Sequence, residues 1–75
     1  MTVQEFLLKT WYAQEIAIVD TKIIFDVMLG VDDLKEVALF FGENYKTRSD
    51  LYKPIMKMEV VGYGVFDNVL VIEVK

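Results

Sequence analysis

The chain contains no cysteine and no histidine in its 75 residues. The first absence removes disulfides, zinc–thiolate sites and thiol nucleophiles. The second removes the commonest general base and the commonest metal ligand. Proline occurs once and glycine four times, so few breakers interrupt the local structure. Long apolar runs are missing too. The longest, Val27 to Val31 with one glycine, is far too short to span a bilayer, and no membrane association is expected. The N-terminal MTVQEFLLK has no basic segment and no apolar core, so a signal peptide is not expected. With cysteine absent, this favours a cytoplasmic location.

What is present is hydrophobic surface. The composition is 55% hydrophobic and 13% aromatic, above the average for a domain of one small core. A 75-residue domain cannot enclose all of it, which favours self-association or a partner. The net charge is −4, unevenly distributed. Residues 44–57 hold Lys46, Arg48, Lys53 and Lys57 against Asp50, a balance of +3, which leaves −7 on the rest. The acidic majority argues against general nucleic-acid affinity.

Thr2 and Glu5 have the spacing of a capping box, and Val3, Phe6, Leu7 and Thr10/Trp11 repeat on one helical face, which predicts a helix over residues 3–11. Next, Ile16 and Ile18, then Ile23, Phe25, Val27 and Leu29, alternate with their neighbours around Asp20-Thr21. This predicts a hairpin pairing Ile18 with Ile23 and Ile16 with Phe25. The same register sets Glu15 against Asp26, an unfavourable like-charge pair. After Gly30, Asp32 and Asp33 begin a second helix over residues 33–41, with Leu34, Val37, Ala38 and Phe41 as its stripe. Residues 43–55 lose periodicity and read as a long connection.

The terminal EVVGYGVFDNVLVIEVK contains Gly62 and Gly64, which raise the question of a phosphate loop. A dinucleotide fingerprint needs three glycines and a following helix, and here a strand follows. An Asp67-Asn68 turn instead pairs Val65 with Leu70, Tyr63 with Ile72 and Val61 with Val74, all apolar and on one side. The other side pairs Phe66 with Val69, Gly64 with Val71 and Gly62 with Glu73. The glycines mark either a bulge or a docking floor with Phe66 at its end.

The expected fold is α+β, in the order α-β-β-α-β-β, with one four-stranded antiparallel sheet carrying both helices on one face. The uncovered face then presents Ile24, Met28, Val60, Gly62, Gly64, Phe66, Val69 and Val71 as an interface, most simply with a second copy. Tyr45, Lys46, Arg48, Tyr52, Lys53 and Lys57 form a basic, aromatic set suited to an acidic or phosphate-bearing partner. Asp32-Asp33-x-x-Glu36 lacks the spacing of a calcium loop and suits a helix start. Ser49 lacks an obvious base, and no catalytic residue, cofactor or metal ligand is assigned.

The MTVQEFL helix, the strand ending in IVD, the helix at DDLKEV and the terminal MEVVGYGVFDNVLVIEVK hairpin together resemble a loose group of very short proteins of phages and prophages of Gram-positive, often gut, bacteria. The resemblance implies a phage accessory setting, and the lack of catalytic residues, not the resemblance, speaks for a protein without enzymatic activity. Such a protein binds and modulates or inhibits a host protein, defence and CRISPR machinery included. The alternative is an oligomer that sequesters a small molecule or nucleotide.

Overall fold

A computed structural model describes residues 1–30, 33–50 and 53–75. The elements in chain order are α1 (Val3–Leu8), β1 (Glu15–Asp20), α2 (Ile24–Met28), α3 (Leu34–Val37), β2 (Phe40–Glu43), a 3₁₀ turn (Asn44–Lys46), α4 (Thr47–Asp50), α5 (Lys53–Met56), β3 (Val60–Phe66) and β4 (Val69–Val74).

The capping box forms as the spacing predicts. The Thr2 hydroxyl accepts from the Glu5 N–H, and the Glu5 carboxylate accepts from the Thr2 N–H at 3.0 Å. That backbone bond, with the Thr2 hydroxyl second, holds the Glu5 carboxyl below the usual carboxylate range. The helix stops at Leu8, short of the expected residue 11.

β1 is a run of apolar, mostly β-branched residues, and Ile16, Ala17, Ile18 and Val19 are all fully buried. A strand covered on both faces reads as continuous rather than alternating hydrophobicity. β1 lies inside the sheet, whose order is β2-β1-β4-β3. It runs antiparallel to β2 and parallel to β4, with Ile18 beside Ile72. The domain is α+β as expected, but the sheet is mixed rather than antiparallel.

The hairpin expected over residues 15–29 does not form. Asp20-Thr21 does turn the chain, with the Asp20 carboxylate accepting from the Lys22 N–H at 2.8 Å. The turn feeds α2 instead of a strand. Ile24, Val27 and Met28 also satisfy the i, i+3, i+4 rule, and a short apolar run carries both periods at once. The helical option turns Ile24 and Val27 into the core and avoids the Glu15–Asp26 clash. Gly30, at φ 75°, ends this helix in a left-handed residue.

The second expected helix also shortens. Asp33 caps α3 by accepting from the Lys35 N–H, while the expected cap at Asp32 lies outside the described residues. At Ala38 the backbone becomes extended, and Phe40–Glu43 pairs with β1 as β2. With no strand at residues 23–29, this segment satisfies the backbone groups on that side of β1. Phe40 and Phe41 consequently point to opposite faces.

Two thin cores sandwich the sheet. On one face, Val3 and Leu7 of α1 and Ile55 of α5 cover Ile16, Ile18, Ile72 and Val74. On the other, Ile24 and Val27 of α2 cover Ala17, Val19 and Val69, with Leu34 and Val37 of α3 beside them. The helices therefore occupy both faces, which corrects the expectation of one bare face. Trp11, Phe25, Val61, Tyr63 and Val65, which the expected apolar faces would have turned into the core, lie at the surface.

The terminal hairpin follows the expected register from Gly62–Glu73 through Phe66–Val69. Asp67 and Asn68 both adopt positive φ, the signature of a type I′ turn. One residue departs: Val60, not Val61, pairs with Val74, so Val61 is a bulge.

Asn44 ties the layers together. It is 5% exposed, and its Nδ2 donates to the carbonyls of Leu7 at 3.0 Å, Thr10 at 2.9 Å and Trp11 at 3.3 Å. The Leu7 and Trp11 carbonyls also accept from the N–H groups of Thr10 and Gln14, whereas no other described backbone N–H reaches the Thr10 carbonyl. Buried Thr47 donates in turn to the Asn44 carbonyl at 2.7 Å. Removing the amide strands the Thr10 carbonyl and takes a second donor from those of Leu7 and Trp11, so Asn44→Ala is expected to cost about 1–3 kcal/mol. Urea denaturation checks this, and a loss no larger than that of the exposed control Lys57→Ala would contradict it.

Candidate functional site

On the second face, α2 covers β1 and β4 but does not reach across β3. Gly62 and Gly64 carry no side chain there, so the sheet drops away and a groove opens. Its cavity of about 270 Å³ has Ile24, Val27 and Met28 as one wall, Gly64 and Val71 as floor, and Phe66 and Glu73 among the remaining lining. Tyr63 and Val65 also line it, and Glu73 is the one charged residue among the lining. That carboxylate accepts from the Thr21 hydroxyl through Oε2, while Oε1 lies over Gly62. Met28 is 70% exposed and Phe66 60%, so the groove rim is open to solvent.

Five of the eight expected interface residues meet here: Ile24, Met28, Gly64, Phe66 and Val71. Gly62 adjoins them beneath Glu73. Val69 is only 7% exposed and belongs to the second core rather than an interface. Val60 packs against the first core, because the bulge at Val61 reverses the side on which it points. Val27 and Glu73 were not anticipated. The helical spacing of Ile24, Val27 and Met28 was the available signal, hidden by an equally good alternation.

The basic, aromatic set is only partly assembled. Tyr45 and Arg48 line a second cavity of about 320 Å³ with Tyr12, Asn44 and Thr47. Lys46 and Lys57 do not line it. Lys53 begins α5, and Tyr52 lies outside the described residues. Tyr12 enters because the Tyr45 N–H donates to the Tyr12 carbonyl at 2.9 Å and draws the two segments together.

Among the described residues, no group of three or more Asp or Glu is placed to hold a metal ion. No helix among them is long and apolar enough to cross a membrane. No family model, curated protein or solved structure matches the chain.

The glycine floor gives a direct test. A Cβ on Gly64 meets nothing within 4 Å, and its φ is not in the left-handed region. Gly64→Ala should therefore leave the monomer unchanged or raise its stability by about 0.5–1 kcal/mol. Gly30→Ala, at φ 75°, should lower stability by about 1 kcal/mol. Thermal unfolding of dilute samples separates the two, and a loss at Gly64 matching that at Gly30 would contradict this geometry.

Proposed function

We propose that the chain is a non-enzymatic binding module that engages a protein partner through the groove between α2 and β3. Its setting is that of a phage-type accessory protein that modulates or inhibits a host protein. The supporting observation is the groove itself. Solvent-exposed Met28 and Phe66, which pack into neither core, flank a floor of glycine and valine. Phe25 and Leu29, 72% and 76% exposed on the outer side of α2, extend the apolar surface beyond the rim. A sequence without histidine or cysteine fits recognition better than group transfer.

The lining specifies the partner's chemistry. An aliphatic or aromatic side chain fits over Gly64 and Val71, and a lysine or arginine beside it meets Glu73. The net charge of −4 favours the same basic neighbour. The occupant is thus a segment of a host protein bearing an apolar anchor next to a cation.

A second reading, an oligomer that sequesters a phosphate-bearing small molecule, has one observation in its favour. Tyr12, Tyr45 and Arg48 share a cavity that would accept a stacked ring and an anion. Arg48 is the only cation among the residues lining it, which ranks this reading second.

Selection from a random peptide display library tests the groove. Enriched peptides should carry an apolar residue adjacent to Lys or Arg. Met28→Lys should weaken their binding about tenfold or more, with an unchanged circular dichroism spectrum. Peptides that bind the Met28→Lys protein equally well would overturn the assignment.

A further inference from the structure

We infer that the outer edge of β3 pairs with the same edge of a second copy, antiparallel, about a two-fold axis at Gly64. β3 is the last strand of the sheet. In a two-residue hairpin the pair flanking the turn, Phe66–Val69, is hydrogen-bonded, and the pattern alternates from there. Gly64 and Gly62 therefore bond inward to β4. Tyr63 and Val65 turn their N–H and C=O groups outward. Lower down, the outer edge is already taken. The Val60 N–H donates to the Met1 carbonyl at 2.8 Å, and the Val3 N–H to the Met58 carbonyl at 2.9 Å. Beyond Val60, no described backbone group bonds to this edge. The open stretch runs from Gly62 to Phe66, where the turn closes it, and Gly64 is its midpoint.

Three observations favour a second copy over any other strand. First, full overlap of the open stretch with itself sets Tyr63 opposite Val65 of the other copy and Phe66 opposite Gly62. These are an aromatic–β-branched pair on one face and an aromatic over a glycine on the other. Second, charge permits it. Val60–Phe66 contains no charged residue, so two chains of net charge −4 meet without apposed like charges. Recentring the pairing on Tyr63 would bring Glu59 against Asp67, and recentring on Val65 would shorten the overlap. Third, no packing inside the monomer requires a glycine at position 64. Its backbone is not left-handed and a side chain there would meet nothing. At the axis, the two strands approach to about 4.5 Å between Cα atoms, where a missing side chain matters most.

Tyr63 and Val65 are 71% and 72% exposed, and the seam would cover both. At five residues per copy, Gly62 to Phe66, it falls short of the about 20–30 residues a side of a standard interface. The association is therefore reversible and concentration-dependent. The seam shares Gly64 and Phe66 with the groove, so a second copy and the partner proposed above compete for the β3 side, while the α2 wall of Ile24, Val27 and Met28 stays outside the seam.

The pairing presupposes the reading of the chain as a protein-binding module. Its test uses the purified chain alone, so the peptide selection and the self-pairing can fail separately. Sedimentation equilibrium should show the mass rising from 8.7 kDa towards twice that value with concentration. Gly64→Lys sets two like charges against each other at the axis and should weaken association at least tenfold, without lowering the melting temperature of dilute protein. The absence of cysteine makes crosslinking a clean register probe. Gly64→Cys should form a disulfide-linked dimer under mild oxidation. Val65→Cys should not, because its own symmetry mate lies diagonally, about 7–8 Å away. A chain that stays monomeric up to about 1 mM, the top of the weak-affinity range, would overturn the proposal. So would association that Gly64→Lys leaves unchanged, or crosslinking at residue 65 in preference to residue 64.

Discussion

Burial of one strand on both faces is the constraint on which the rest of this fold depends. β1 puts Ile16 and Ile18 into one core and Ala17 and Val19 into the other, with no exposure at any of the four. Burying a large aliphatic side chain contributes roughly 1.5–3 kcal/mol. Four consecutive apolar positions thus carry a share comparable to the net stability of a small domain, about 5–15 kcal/mol. Such a strand also needs hydrogen-bonded neighbours on both edges. β4 supplies one in parallel register and β2 the other, antiparallel. Residues 38–43 therefore leave the helical path that α3 begins.

The same constraint thins the two cores and produces the groove. With so few residues, each face receives only short helices, and α2 is five residues long. It covers the centre of the sheet and leaves the β3 side open. The glycines of β3 enlarge that opening on one face, while Tyr63 on the other face reaches back only to the ring of Phe6, 5.0 Å between centroids. Asn44 works against the looseness such thin layers invite, by fastening the end of α1 to the segment that follows β2. The layers are thus tied together at the middle of the molecule, and its open backbone edge is that of β3.

Much of this architecture is legible in the sequence, and the failures share one cause. The α1 capping box and the hairpin from Gly62 to Asn68 are specified by neighbours in the chain: Thr2 with Glu5, and Asp67-Asn68 between two apolar runs. Local chemistry decided these, and they stand as expected. Residues 23–29 satisfy both the two-residue and the 3.6-residue period, so only tertiary pairing chose between strand and helix. Gly30, which follows the expected strand, ends a helix instead. Ile16 and Ile18 were expected to alternate with their neighbours, whereas all four of Ile16–Val19 are buried, and the strand's partner, β4, lies some fifty residues away where no local pattern announces it. Of the candidate site, the glycine floor with Phe66 at its end was legible from register alone. The α2 wall was not, because it depended on the misread segment. The exclusion of Val60 turned on one bulged residue, Val61, which nothing in its immediate neighbours reveals.

Amide hydrogen exchange by NMR measures the central claim most directly. If β1 is the doubly buried axis of the domain, the amides of Ile16 to Val19 exchange slowest and only through global unfolding, with the same free energy as denaturant unfolding. The amides of residues 24–28 show weaker, helix-type protection. If instead Ile16–Val19 exchange as readily as the open edge of β3, or residues 23–29 show strand-type protection paired with β1, the account of this fold is wrong.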